Sequence, residues 1–255
     1  FRHRMLHREV FFIAMKTIRV RKSRPSTLAL ALALMLTMLL VYLVSLTGAR
    51  PEASSADARA IISDSVRLDG LETCFISDGE FPTALEARIR AAQCAARGGA
   101  GLVLCRDGRY IVARDAVNDT QDAAALRLGA GGVTLQLRGQ SSDIAAVSEA
   151  VAFLRAQATE TGALAAALES GETDRRSVQA LIAVYQTRGR AAAEAMSAIS
   201  SGGALTSRIT QAVYADLSRL DNAAENPDAG KIRLIHAGAC REWISLIEDM
   251  RAAQS

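Results

Sequence analysis

Three patterns of hydrophobic and polar positions follow one another along this chain. From Leu28 to Leu46 the sequence runs for 19 residues without a charge, broken only by Thr37, Tyr42 and Ser45. Between Leu71 and Arg138, short segments alternate with period two and are punctuated by glycines. From Ile144 to Met250, apolar residues recur every three or four positions.

The first pattern predicts a transmembrane helix over 26–48. At helical rise, Leu28–Leu46 extends roughly 28 Å, close to the hydrocarbon thickness of a bilayer. Met15 opens a basic lead in which Lys16, Arg19, Arg21, Lys22 and Arg24 precede the apolar run. Bases before a span keep that end in the cytoplasm, so residues 1–25 are expected inside and everything after Leu46 outside. The rival reading is a cleaved signal peptide, with Thr47-Gly48-Ala49 as a small-residue cleavage site. Residues 49–67, rich in Ala, Ser and Asp, read as a linker.

The second pattern predicts β-α-β-β-α-β over 68–139. Leu71–Ser77 reads as a strand, and Leu85, Ile89, Ala92 and Ala96 then recur at helical spacing after Pro82. Asp107-Gly108 between Leu102–Arg106 and Arg109–Ala113 is a strong hairpin signal. Asn118 with Gln121 resembles a capping box and predicts a second helix through about Leu128. Val133–Arg138 alternates as a last strand. In a split βαβ arrangement both helices cover one face of a four-stranded sheet, with the first and third strands central. Ile76, Tyr110, Val112, Leu135 and Leu137 are expected on the helix side. The open face then carries Thr73, Phe75, Ser77, Arg109, Ile111, Thr134, Gln136 and Arg138. Such a face suits an extended ligand held by stacking and hydrogen bonds, and it equally suits a merely solvated sheet.

The third pattern predicts four amphipathic helices over 141–252, packed as an antiparallel bundle. Their apolar seams run from Ile144 to Leu168, Val178 to Ile199, Leu205 to Leu220 and Ile232 to Met250. High Ala content permits close packing but gives little apolar area per residue, which leaves room for a helical protein partner or self-association. The predicted fold class is α+β: a transmembrane helix, a four-stranded sheet domain and a C-terminal all-α four-helix region.

Charge sharpens this picture. The chain has 255 residues, with 30 Lys+Arg against 27 Asp+Glu and a net charge of +3. Residues 1–25 hold Arg2, Arg4, Arg8, Lys16, Arg19, Arg21, Lys22 and Arg24 against Glu9 alone, so the remainder is net acidic. An acidic body lacks the counterion-release drive for phosphate backbones, which argues against nucleic acid as a partner.

Motifs for catalysis are sparse. His236 is the sole histidine beyond residue 7, and no G-x-S-x-G or S-x-x-K frames a nucleophile. Cys74, Cys94, Cys105 and Cys240 lack metal-ligand spacing; they permit either two disulfides or small buried thiols. Gly98-Gly99-Ala100-Gly101 and the glycines at 129–132 fit no phosphate-binding loop. The expectation is a non-enzymatic protein without metal or cofactor.

The 68–139 segment resembles the SPOR (sporulation-related) domain, a small βαββαβ module of bacterial envelope proteins. Ile76-Ser77-Asp78-Gly79-Glu80-Phe81 sits where that family has a strand ending in Gly-x-Phe, and Asp107-Gly108-Arg109-Tyr110-Ile111-Val112 where it has a turn and tyrosine strand. Ser77 stands where the family often has Gln, and Asp115-Ala116-Val117 replaces a Gly-Pro-Phe-like ending. The resemblance implies binding to peptidoglycan glycan strands stripped of stem peptides, in division, sporulation or wall remodelling. Phe75 would stack on a sugar, with Ser77, Arg109, Ile111, Thr134, Gln136 and Arg138 sharing the face. The alternative is an envelope scaffold whose helical region recruits partners, with the SPOR-like domain degenerate.

Overall fold

Alternating strands and a glycine-closed hairpin build the sheet in the computed structural model, which describes residues 61–118, 125–199 and 203–254. The expected transmembrane segment lies outside these residues, and no helix among them is long and apolar enough to cross a membrane. The elements are β1 (Ile62–Leu68), β2 (Leu71–Phe81), α1 (Ala84–Ala96), β3 (Leu102–Arg106), β4 (Arg109–Val117), β5 (Leu126–Ala130) and β6 (Val133–Gly139). Five helices follow: α2 (Ser141–Glu160), α3 (Leu164–Ser170), α4 (Arg175–Ser197), α5 (Ala204–Ala224) and α6 (Ala229–Ala252). The chain is therefore α+β, with its helices gathered toward the C-terminus.

The four-stranded sheet has the order β3-β4-β2-β5, every neighbour antiparallel. As expected, the strands at 71–81 and 109–117 are central. Asp107 and Gly108 turn the β3–β4 hairpin with φ of 50° and 76°, the left-handed pair that matches strand twist. The fourth position departs from expectation. It is filled by Leu126–Ala130, not by Val133–Arg138. Part of the helix expected through Leu128 is thus a strand, and its earlier residues 119–124 lie outside the described ones. Leu126, Leu128 and Ala130 turn toward the core while Arg127 and Gly129 face outward, a period of two that overrides the cap signal.

Val133–Gly139 instead pairs with β1, in register from Leu68↔Val133 to Ile62↔Gly139. The linker expected over 49–67 is accordingly shorter, because its last residues form β1. Val66, Leu68, Val133 and Leu135 bury one side of this ribbon.

One face of the main sheet receives α1, whose Ala87, Ala91 and Cys94 pack on Val112. Thr83 caps this helix by accepting from the Glu86 N–H at 3.3 Å, so Pro82 precedes the cap and is not in the first turn. The other face, expected to be open, is covered by α6. Phe75, Ala113 and Ala116 join Ile232, Ile235, Leu246 and Ile247 in one core that continues through the helices. Sheet and helices are one packed unit across 68–139 and 141–252.

In the helical layer, α2, α4, α5 and α6 pack pairwise, as a four-helix arrangement predicts. The first seam, read as one helix to Leu168, breaks at Thr161–Ala163 into α2 and α3. The connection between the third and fourth seams is short, since α5 runs to Ala224 and Asp228 caps α6 by accepting from the Lys231 N–H at 2.9 Å. Gly230 lets the start of α6 approach the 98–99 loop, because a Cβ there would meet Gly98 backbone at 3.1 Å. Past the middle of α6 Trp243 donates to the Asp69 carbonyl at 3.0 Å, pinning the helix to the β1–β2 connection.

Leu246 and Ile247 are fully buried. Replacing either with Ala is expected to cost about 2–5 kcal/mol in urea unfolding of the full chain in detergent. Far-UV dichroism and Trp243 fluorescence should move together in one transition; separate transitions would mean that sheet and helices unfold independently.

Candidate functional site

The residues expected to share a glycan-binding face are distributed over four places. Phe75 has no exposed surface, and Ile111 packs against the same core beneath α6. Ser77 sits in the irregular stretch of β2, where its Oγ accepts from the Gly79 N–H at 3.1 Å. Arg109 lies at the hairpin and pairs with Glu80 at 3.0 Å, with both side chains about half exposed. Thr134, Gln136 and Arg138 do come together on the outer face of β6. They stand directly opposite Arg67, Ser65 and Ser63 of β1, so six polar side chains share one exposed strip.

A second surface lies on α1. Helix α1 buries its small residues and presents its larger ones: Leu85 is 69% and Ile89 54% exposed, with Ala92 and Ala96 exposed in line. The spacing 85-89-92-96 is the four-three alternation of a helix–helix seam. Beside it a groove of about 510 Å³ is lined by Phe81, Ile89 and Gln93 among others. The sequence pattern located this stripe as the helical spacing of Leu85, Ile89, Ala92 and Ala96.

A third feature is a polar cleft of about 570 Å³ where α1, β4 and α6 meet, bordered by Asp78, Arg97, Arg114, Asp115 and Arg233. Arg233 reaches Asp115 at 3.2 Å, Glu169 at 2.7 Å and the Gly98 carbonyl at 2.7 Å, joining α6 to β4, α3 and the 98–99 loop. Its guanidinium is held above the ordinary value, mainly by the Glu169 contact and despite partial burial.

Inside the helical layer, His236 and Cys240 lie one turn apart, with Sγ 3.7 Å from Nε2. The Thr161 hydroxyl donates to the Gln157 carbonyl at 2.6 Å, so it accepts from His236 Nδ1 at 3.2 Å. That assigns the Nδ1–H tautomer. Burial lowers the His236 pKa and pushes the Cys240 thiol up to about 11. The pair is a neutral imidazole beside a protonated thiol, the opposite of an activated nucleophile. Burial likewise raises Cys94, and it raises Tyr185 together with Glu160, which accepts from the phenol at 2.6 Å. Cys74 is also buried, Cys105 is exposed, and all four thiols are free. Among the described residues no group of three His, Cys, Asp or Glu side chains could hold a metal.

Asp216 on α5 is 1% exposed. It pairs with Arg219, while its Oδ2 has no partner. Arg219 lies across α6 because Gly238 offers no Cβ there. It also reaches Glu242 at 3.5 Å, and Arg208 binds Glu242 at 3.4 Å and Asp249 at 2.6 Å. These pairs fasten α5 to α6.

The geometry thus defines an α+β chain with three distinct surface features and no activated nucleophile among its described buried groups. The chain matches no protein-family model, no curated protein and no solved structure.

Desolvation pushes the Asp216 carboxyl up to about 7, against the pull of Arg219. The folded chain keeps this proton to about pH 7, while the unfolded chain releases it near 4. Folding therefore takes up a proton between those values, and stability falls as pH rises through that window, by at most about 1.4 kcal/mol per unit. Asp216→Asn should remove this slope. The wild-type-minus-variant difference in unfolding free energy should drift from pH 4 to 7 and level off above it.

Proposed function

We propose that this chain is a single-pass, membrane-anchored bacterial envelope protein that works without catalysis, holding a protein partner through an exported α+β unit. The anchor is Leu28–Leu46, oriented by the basic lead before it. The unit is SPOR-like in its β2-α1-β3-β4 half, where the split βαβ order and the Asp107-Gly108 hairpin occur together. Its glycan face is closed by its own last helix, which favours the scaffold reading over stacking on Phe75.

The outward stripe of α1 carries the proposal. A helix that buries Ala and Cys while exposing Leu85 and Ile89 forgoes burial of its largest side chains. Fully burying such side chains is worth about 1.5–3 kcal/mol each. The four-three spacing with small Ala92 and Ala96 fits an amphipathic helix of the partner, and the groove beside Phe81 offers room for its knobs. Glu86 and Arg88 flank the seam and would set its orientation.

A photo-crosslinking side chain at Ala92 of the full chain in native membranes should give a discrete adduct, mapped by mass spectrometry to a helix with heptad apolar residues. Leu85→Glu with Ile89→Glu should abolish the adduct without lowering the melting temperature. An adduct unchanged by these charges would overturn the proposal, and an adduct to a second copy of this chain would replace the partner with self-association.

One observation favours a second reading. The strip of Ser63, Ser65, Arg67, Thr134, Gln136 and Arg138 offers hydroxyls, an amide and guanidinium groups along an extended ribbon, as a glycan strand requires. Full-length protein should then sediment with sacculi stripped of stem peptides, and Gln136→Ala with Arg138→Ala should release it. Equal sedimentation of the variant removes this reading.

A further inference from the structure

The cleft between the end of α1, β4 and α6 has an unbalanced charge. Asp78 is satisfied twice, by Arg90 and by Arg97, each at 2.9 Å. Asp115 accepts from Arg233 at 3.2 Å and from the Ala116 N–H at 2.8 Å. Arg233 divides itself between Asp115, Glu169 and the Gly98 carbonyl. Arg114, which borders the same cleft and is exposed, makes no ion pair with any described residue. The acids on the walls are committed to other bases, so one positive charge is left over.

We propose that this cleft binds a single carboxylate carried on a small, uncharged polar body, with Arg114 as its principal contact and Arg97 beside it. A planar guanidinium matches the two oxygens of a carboxylate, which gives geometry as well as charge. Asp78 and Asp115 disfavour a second negative charge and accept from hydroxyl or amide groups, which argues for a monoanion over a phosphate dianion. Ile76 supplies an apolar wall, and Gly98 and Gly99 leave space along the rim. The volume of about 570 Å³ lies within the range of about 300–1,000 Å³ typical of small-ligand sites.

Carboxylates of this kind arise in a bacterial wall from two sources. Removing a stem peptide frees the lactyl carboxylate of an N-acylated amino sugar, and each peptide end carries another. We assign the site to the sugar-borne group, because the cleft offers acceptors for several hydroxyls around one cation. This choice of source rests on the envelope reading; the carboxylate site does not. It is also separate from the α1 stripe, so partner capture is untouched by changes at Arg114.

The test is calorimetric titration of the full chain in detergent with N-acetylmuramic acid, N-acetylglucosamine, N-acetyl-D-alanine and inorganic phosphate. N-acetylmuramic acid should bind at least tenfold more tightly than N-acetylglucosamine, which lacks the carboxylate. Arg114→Gln should weaken it at least tenfold at an unchanged melting temperature, while Arg106→Gln at the β3–β4 turn, where Arg106 pairs only with exposed Asp107, should leave it unaltered. Equal binding of both sugars, or no loss in Arg114→Gln, overturns the site. Tighter binding of N-acetyl-D-alanine keeps the carboxylate site but overturns the sugar assignment, and tighter binding of phosphate overturns both.

Discussion

Helix α6 is wedged between a sheet and a helical layer, and most of the fold depends on that wedge. Its buried residues cover a broad arc, Ile232, Ile235 and Leu246 together with His236, Cys240, Ile244 and Ile247, and only the side with Arg241, Glu248 and Asp249 faces solvent. A helix with so wide an apolar arc has two surfaces to cover and belongs between two layers. Here it supplies the second layer for β2 and β4 and the central contact for α2 and α5. Small residues at 237–240 let neighbours come close, and Arg219 crosses at Gly238. The wedge is tied near its start by Arg233 to the 98–99 loop and past its middle by Trp243 to the β1–β2 connection.

This arrangement also explains the placement of polar groups. A sheet with helices on both faces leaves no broad face for a ligand, so the surfaces available are edges, ribbons and clefts. The polar strip of β1–β6, the α1 stripe and the Arg114 cleft are each on the periphery of the wedge. Within it, burial keeps His236 neutral and Cys240 protonated, which makes both packing groups.

Much of the element order was legible because periodicity, hairpin and breaker signals act locally. The Asp107-Gly108 turn and the helices α4, α5 and α6 followed from such signals. What was not legible depended on contacts distant in sequence. The seam from Ile232 to Met250 describes one face of α6 only. Ile244 and Ile247 on the other side were the available sign that a second surface had to be covered. For α1 the pattern identified the stripe 85-89-92-96, but only tertiary packing decides that Ala87, Ala91 and Cys94 turn inward. At Leu126–Ala130 a capping signal upstream outweighed the Leu126/Leu128 alternation, although pairing with β2 settles the strand. The expected open face failed for the same reason as the α6 seam: its cover lies over a hundred residues away.

That distance has a consequence for the order of assembly. Synthesis delivers β2, β3 and β4 well before α6, and local hairpins form in microseconds while residues emerge far more slowly. Until residues 229–252 arrive, Phe75, Ala113 and Ala116 lack the helix that covers them. The nascent chain is thus an uncovered half-sheet for several seconds, the interval in which association with its neighbours competes with native packing.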